Sequence, residues 1–210
     1  DNETANQMAN YARGYWGPQD FTVGAYYAGA IICFLFLVGI VFAEKKYVWW
    51  LVPLSVLSLM LSWGDSFSSF NYFMFDYFPG YNKFRSVNFA LVIILFAMPL
   101  LGMLGLESLL AKGWSKETQK KLLWPVSIAL GACLIFIAVG GFGSFLKPEE
   151  AQLPVWFRNA VQKDRIALLR SDAWRSLILI VLFSAAIFSL LKNYLKPIIV
   201  YPLLVVLIWF

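Results

Sequence analysis

Long apolar runs, broken only by short polar loops, constrain this chain more than any other feature. Gly24–Ala43, Val48–Trp63, Val87–Leu106 and Leu122–Phe142 carry no charge, and Trp174–Leu191 carries only Arg175. A bilayer's hydrocarbon core is ~30 Å thick and takes a helix of ~20 apolar residues to cross. The runs therefore predict five complete transmembrane helices. A sixth, Ile198–Phe210, is apolar but about half the needed length. Residue 1 is Asp rather than Met, and nothing after it resembles a signal peptide. The expectation is an internal fragment whose sixth helix continues in the remainder of a full-length chain.

Composition closes off the alternatives. The chain is 60% hydrophobic and 14% charged, where soluble domains average ~45–50% apolar and ~25% charged. A water-soluble fold of 210 residues could not hide that much apolar surface, whereas lipid can serve as its solvent. The runs are continuous rather than alternating, which disfavours a β-barrel. Histidine is absent, so histidine triads and His-containing zinc motifs are excluded. Cys33 and Cys133 stand alone inside apolar runs and read as small buried hydrophobes. No metal site and no cofactor motif is found. Gly140–Ser144 (GGFGS) lacks the following GK[ST] of a nucleotide loop, and reads as a tight helix contact or a frayed end. The net charge of +5 resides in loops between spans, which fits membrane topology rather than nucleic acid.

The predicted architecture is an all-α polytopic transmembrane helical bundle with interfacial amphipathic segments. Residues 1–23 form an extramembrane segment. Residues 24–146 hold four transmembrane helices, with an aromatic loop at 64–86. Residues 147–173 form a charged amphipathic segment, and 174–210 hold one complete and one truncated helix. Tyr47, Trp49 and Trp50 form an interfacial belt. Within the loop, Phe70, Phe73 and Tyr77 share helical spacing, which predicts a short helix in the headgroup layer ended by a Pro79-Gly80 turn. Pro99 predicts a kink in the third span. Ser115 is a candidate helix cap, and Pro197 opens the last helix at a tolerated position.

Charge distribution suggests an orientation. The first residues, loop 64–86 and segment 147–173 share one side, with nine basic residues, counting Arg175 just beyond the segment, and nine acidic ones. The other three loops hold eight basic and three acidic. Outside the long charged segment the basic split is three against eight, so the lysine-rich side is expected to be cytoplasmic. Loops 64–86 and 147–173 then face outward.

With no histidine and no thiolate cluster, the remaining chemistry lies in loop carboxylates and basic residues. Arg85 and Lys83 sit where the third span begins, and an arginine there can grip a phosphate through its fork of donors. The alternative is interfacial snorkelling with an Asp76–Arg85 or Asp65–Lys83 pair. Asp172 and Arg175 lie three apart on a predicted helix face, placed to hold an anionic lipid or simply to lace a surface helix with charge. Tyr27, with Tyr26, could contact a ligand or form part of a wet aromatic belt. The run Lys116–Lys121 reads as an anchor to anionic lipid.

Several of these motifs are familiar. Trp63-Gly64 followed by Pro79-Gly80-Tyr81-Asn82-Lys83-Phe84-Arg85-Ser86 resembles the YfhO-like family of bacterial membrane proteins, in the style of its Bacteroidota branch. Val23-Gly24-Ala25-Tyr26-Tyr27-Ala28-Gly29 and Asp164-Arg165 with Arg170-Ser171-Asp172-Ala173-Trp174-Arg175-Ser176 resemble further family segments. The resemblance implies a GT-C-like fold and a glycosyltransferase that uses a polyprenyl-phosphate sugar to modify cell-envelope glycopolymers. It places the catalytic carboxylate in an outward loop that no residue of this chain matches. Two other functions suit the same residues: a transporter or flippase for a lipid-linked substrate, and a non-catalytic scaffold within a larger assembly.

Overall fold

The computed structural model describes residues 26–83, 87–140, 145–147, 150 and 152–209. The segment 1–23 and Arg85 lie outside them. Every regular element among the described residues is helical: α1 (Ala30–Phe42), α2 (Lys45–Ser62), α3 (Ser68–Tyr77), α4 (Leu91–Lys112), α5 (Lys116–Val139), α6 (Val155–Leu191) and α7 (Pro197–Trp209). Three-residue to four-residue 3-10 turns lie at Gly64–Phe67, Tyr81–Lys83 and Val87–Ala90. The chain divides into two compact units. One contains Gly131–Leu177, and the other joins Gly24–Leu130 to Ile178–Phe210.

Among the described residues three helices are long and apolar enough to cross a membrane: Asn88–Lys112, Lys116–Val139 and Val155–Leu191, of 25, 24 and 37 residues. At 1.5 Å per residue they run roughly 36–55 Å, beyond the ~30 Å hydrocarbon core. The expected first span is shorter than its apolar run. Helix α1 has 13 residues, about 20 Å of helix. It starts at Ala30 because Gly29, at φ 79°, holds a left-handed backbone that a helix cannot continue through. Helix α2 has 18 residues, but Lys45, Lys46 and three serines (Ser55, Ser58, Ser62) dilute its apolar character. Among the described residues α1 and α7 are shorter apolar helices.

The second difference concerns the charged segment. The sequence predicts an amphipathic surface helix from Val155 leading to a span that starts at Trp174. Instead α6 runs unbroken from Val155 to Leu191. No glycine or proline interrupts that stretch, so nothing stops the helix where the polarity changes. Pro154 marks its start, where its carbonyl accepts from the Phe157 and Arg158 amides. Helix α5 also starts earlier than its apolar run. Ser115 caps it, its Oγ accepting from the Thr118 amide at 3.0 Å, as its position in sequence predicts.

Packing of α1 against α4 dominates the larger unit. The buried residues of α1 are Ile31, Phe34, Leu35, Val38, Gly39 and Phe42. Those of α4 recur with the same three-and-four spacing from Ile94 to Leu109, so each helix buries a single stripe. The stripes close on glycine. A Cβ on Gly39 would fall on the Leu101 carbonyl oxygen, and one on Gly105 would fall on the Gly39 backbone. A Cβ on Gly102 would lie 2.8 Å from the Leu35 Cβ. Such backbone approach is how helices gain dispersion energy in lipid, where apolar side chains feel no drive away from solvent. Leu51 of α2 joins Ala97 and Leu101 in a fully buried cluster, and Phe34 meets Phe183 of α6 edge-on at 6.2 Å. Outside the stripes large apolar groups stand open, including Phe96 and Val92 of α4, both 63% exposed. Surface of that kind, all round a helix, suits a lipid solvent.

Candidate functional site

The aromatic loop is a built structure. Asn71, on α3, holds it together: its amide nitrogen donates to the carbonyls of Gly64 at 3.1 Å and Phe67 at 3.3 Å. Its Oδ1 accepts from the Tyr81 hydroxyl at 2.6 Å, and burial pushes that phenol's pKa up. Between them Phe78–Tyr81 makes a turn, with the Tyr81 amide donating to the Phe78 carbonyl at 3.2 Å. Pro79 occupies its second position, and Gly80, at φ 85°, its third, the residue types a type II turn demands. Helix α3 forms where the shared spacing of Phe70, Phe73 and Tyr77 predicts it. The Phe73 and Tyr77 rings lie 5.1 Å apart.

Helix α3 buries none of its residues. Tyr72, Phe73, Phe75, Tyr77 and Phe78 all stand exposed. A ten-residue helix with aromatic rings open all round is suited to the headgroup layer, where ring bodies meet acyl chains and polar tips meet water. Lys83 ends the loop, exposed, in the turn Tyr81–Lys83. Arg85, two residues on, lies outside the described residues. The chain returns to the bundle through Ser58 of α2, which is fully buried. Its hydroxyl donates to the Ala90 carbonyl at 2.6 Å and accepts from the Ile94 amide at 3.3 Å. One side chain thus sits in the i→i−4 ladder at the start of α4 and ties the loop's end to α2.

Within the smaller unit the central feature is Arg165, only 1% exposed. Its guanidinium forks onto Glu150, Nη1 to Oε2 and Nη2 to Oε1, both at 2.7 Å. Nη1 also donates to the Phe145 carbonyl at 2.7 Å, and the Lys147 amide donates to Glu150 Oε2 at 2.8 Å. The hydrogen bonds from Arg165 hold the Glu150 carboxyl below its ordinary range, against the opposing pull of partial burial. This clamp fastens the segment before α6 onto α6 itself. Asp164, the neighbour with which Arg165 is grouped in the sequence, is exposed. Asp172 and Arg175 are exposed on the same helix. Arg170 packs its chain against Gly140, where an added Cβ would lie 3.1 Å from its Cγ. That gives the glycine cluster one defined role, while residues 141–144 lie outside the described residues.

A third feature is an open cleft of about 860 Å³ where α1 ends, α2 begins, α4 ends and α5 begins. Ile40, Val41, Val48, Val52 and Pro53 give it apolar walls, and Lys45, Lys112 and Lys121 stand on it. Helices α2 and α4 run antiparallel, since Ser58 meets the start of α4 while the start of α2 shares the cleft with Lys112. The aromatic loop and the lysine cleft therefore lie at opposite ends of this pair, about 27 Å apart along α2. Helix α2 has no acidic residue in its first turn, only Lys45 and Lys46. Cations there oppose the helix dipole, at a cost of roughly 0.3–1 kcal/mol each, so helix stability does not explain them.

The residues singled out from sequence fall on several elements. Tyr27 is 74% exposed just before α1, and Lys83 closes the aromatic loop. Asp172 and Arg175 belong to the other unit. Cys133 is buried as expected, but Cys33 is exposed on α1. Among the described residues no group of acidic or cysteine side chains could hold a metal ion. Sequence reasoning missed Glu150 as the partner of Arg165, and treated Lys45 and Lys112 only as topology markers. A signal for the first was present: Arg165 continues the four-residue series Phe157, Val161, both buried, and a charge on the apolar stripe demands a buried partner. Comparison with protein-family models, with curated proteins and with solved structures gives no match.

Proposed function

We propose that this chain is part of a multi-pass glycosyltransferase of the bacterial inner membrane, of GT-C-like architecture, taking its sugar from a polyprenyl-phosphate donor. The observation that supports this reading is the folded aromatic loop. Helix α3 offers open rings to the isoprenoid chain of a polyprenyl lipid, and Lys83 stands exposed at the loop's end. Arg85 follows, separated by Ser86 alone from the apolar run of the third span. Phosphate held at that boundary meets cationic donors in a medium less polar than water, where charge-assisted hydrogen bonds strengthen. As the sugar's anomeric carbon is attacked, the bond to the phosphate oxygen breaks and negative charge grows on the leaving polyprenyl phosphate. Lys83 and Arg85 would steady that charge. No carboxylate of this chain is assigned as the base. In this reading loops 64–86 and 147–173 face the periplasm.

The test is donor affinity of the purified full-length protein in nanodiscs. Arg85→Ala should bind a polyprenyl-phosphate sugar about ten- to a hundredfold more weakly, the worth of one charge-assisted contact. Arg85→Lys should also be impaired, because lysine keeps the charge but loses the fork. Equal affinity of wild type and both variants, with melting temperature unchanged, would remove this loop from the donor site.

A further inference from the structure

We propose that the cleft at the junction of α1, α2, α4 and α5 is a binding site for one anionic phospholipid, separate from the aromatic loop and independent of the sugar-transfer reading. Three properties of the cleft point there. It is amphiphilic: Ile40, Val41, Val48, Val52 and Pro53 form apolar walls, while Lys45, Lys112 and Lys121 stand on it. Its ~860 Å³ lies within the ~300–1,000 Å³ of sites that enclose a small ligand. Its depth in the bilayer is marked by Trp49, which lines it and is 78% exposed, a residue type that settles at the headgroup level.

Charge decides the kind of lipid. Two acidic groups near the cleft, Glu44 and Glu117, are already engaged. Glu44 lines it but pairs with Lys46 at 2.9 Å, and Glu117 pairs with Lys121 at 2.6 Å. Both pairs are largely exposed, so a phosphate can compete for Lys121 at little cost. The Lys112 ammonium lies 5.7 Å from the Phe42 ring centroid, over a buried residue, and the Ser108 hydroxyl lies one turn before it on α4. A headgroup phosphate would meet two or three ammonium groups, with its acyl chains against the valine and isoleucine walls. A zwitterionic lipid would bring its own cation among these lysines. Free phosphate would leave the apolar walls unused.

The experiment is native mass spectrometry of the whole protein released from detergent, titrated with phosphatidylglycerol or phosphatidylcholine of matched chains. One phosphatidylglycerol should be retained at least about tenfold more tightly than phosphatidylcholine. The triple variant Lys45→Gln/Lys112→Gln/Lys121→Gln should lose about tenfold or more of that retention. The equally neutralised control Lys163→Gln/Lys192→Gln/Lys196→Gln, whose positions neither line the cleft nor belong to the Lys116–Lys121 run, should keep it. Should the first triple fail to fold, Ser108→Trp fills the cleft with every lysine in place and should also lose the lipid. Equal retention of the two lipids, or undiminished phosphatidylglycerol binding in the cleft variants, would overturn the proposal. So would equal losses in the control triple, or displacement by glycerol 3-phosphate at the lipid's own affinity.

Discussion

The α1–α4 contact and the Arg165–Glu150 clamp are both buried, yet they are built from opposite materials. The first has glycine at its closest points, with Gly39, Gly102 and Gly105 letting backbones touch. The second is an ion pair with four short hydrogen bonds around it. The difference follows from what the unfolded alternative is in each place. Two apolar helices in lipid lose nothing by separating except close-range dispersion, so only near-contact of backbones holds them. The clamp sits in the charged part of the chain, where a guanidinium can leave water only if its donors find acceptors. Shape secures the first region and stoichiometry of hydrogen bonds the second.

That contrast predicts a ranking of damage. Gly105→Leu should be worst, because its Cβ has no space and the atom it meets is backbone, which cannot rotate away. Loss of the monodisperse folded species in size-exclusion chromatography is expected. If Gly105→Leu melts within about 3 °C of wild type, less than ~1 kcal/mol, the glycine contact is not what holds α1 to α4. Arg165→Ala comes next. It strands Glu150 and leaves a void, for which breaking a buried pair costs about 3–5 kcal/mol. The lower end is expected, since the Glu150 side chain keeps 14% of its exposure. Differential scanning fluorimetry should show a fall of roughly 6–12 °C. The sharper comparison is Arg165→Met with Glu150→Leu, which should recover most of that loss, because apolar packing often replaces a buried pair without cost. No such rescue by apolar replacement is expected at Gly105.

Glu150→Gln should have the smallest effect, about 1–2 kcal/mol at neutral pH, since the amide oxygen still accepts from Arg165. Its signature is pH dependence. The folded carboxyl is held below its ordinary value by the Arg165 hydrogen bonds. Its stabilisation is therefore full above the unfolded glutamate pKa of ~4.3 and is lost as pH falls through the lower folded value. Wild type should lose stability in that acid window, and Glu150→Gln should lose less. Parallel acid melting curves for the two proteins would show that another group controls the clamp.

Much of this was legible in the residues themselves. The fold class, the cap at Ser115, the helix across Phe70, Phe73 and Tyr77, and the Pro79-Gly80 turn all follow from local rules of spacing and backbone freedom. Helix ends were less legible. Hydropathy marks where lipid stops, while hydrogen bonding marks where the helix stops. Helix α6 extends nineteen residues ahead of its predicted span because polar residues continue a helix as readily as apolar ones. Helix α1 is cut short because Gly29 turns the backbone before the hydropathy changes.

By itself, then, the sequence determined an all-helical membrane chain with an aromatic loop and a lysine-rich set of connections, because periodicity, composition and turn chemistry act over a few residues. Tertiary structure alone decided which charges are buried and which surfaces meet. Glu150 reaches Arg165 across fifteen residues, Ser58 enters the start of α4 from thirty-two residues away, and Lys45, Lys112 and Lys121 share one cleft. No local pattern encodes such meetings. They arise when helices with compatible stripes pack, and the free energy of each contact depends on what the rest of the chain has brought beside it.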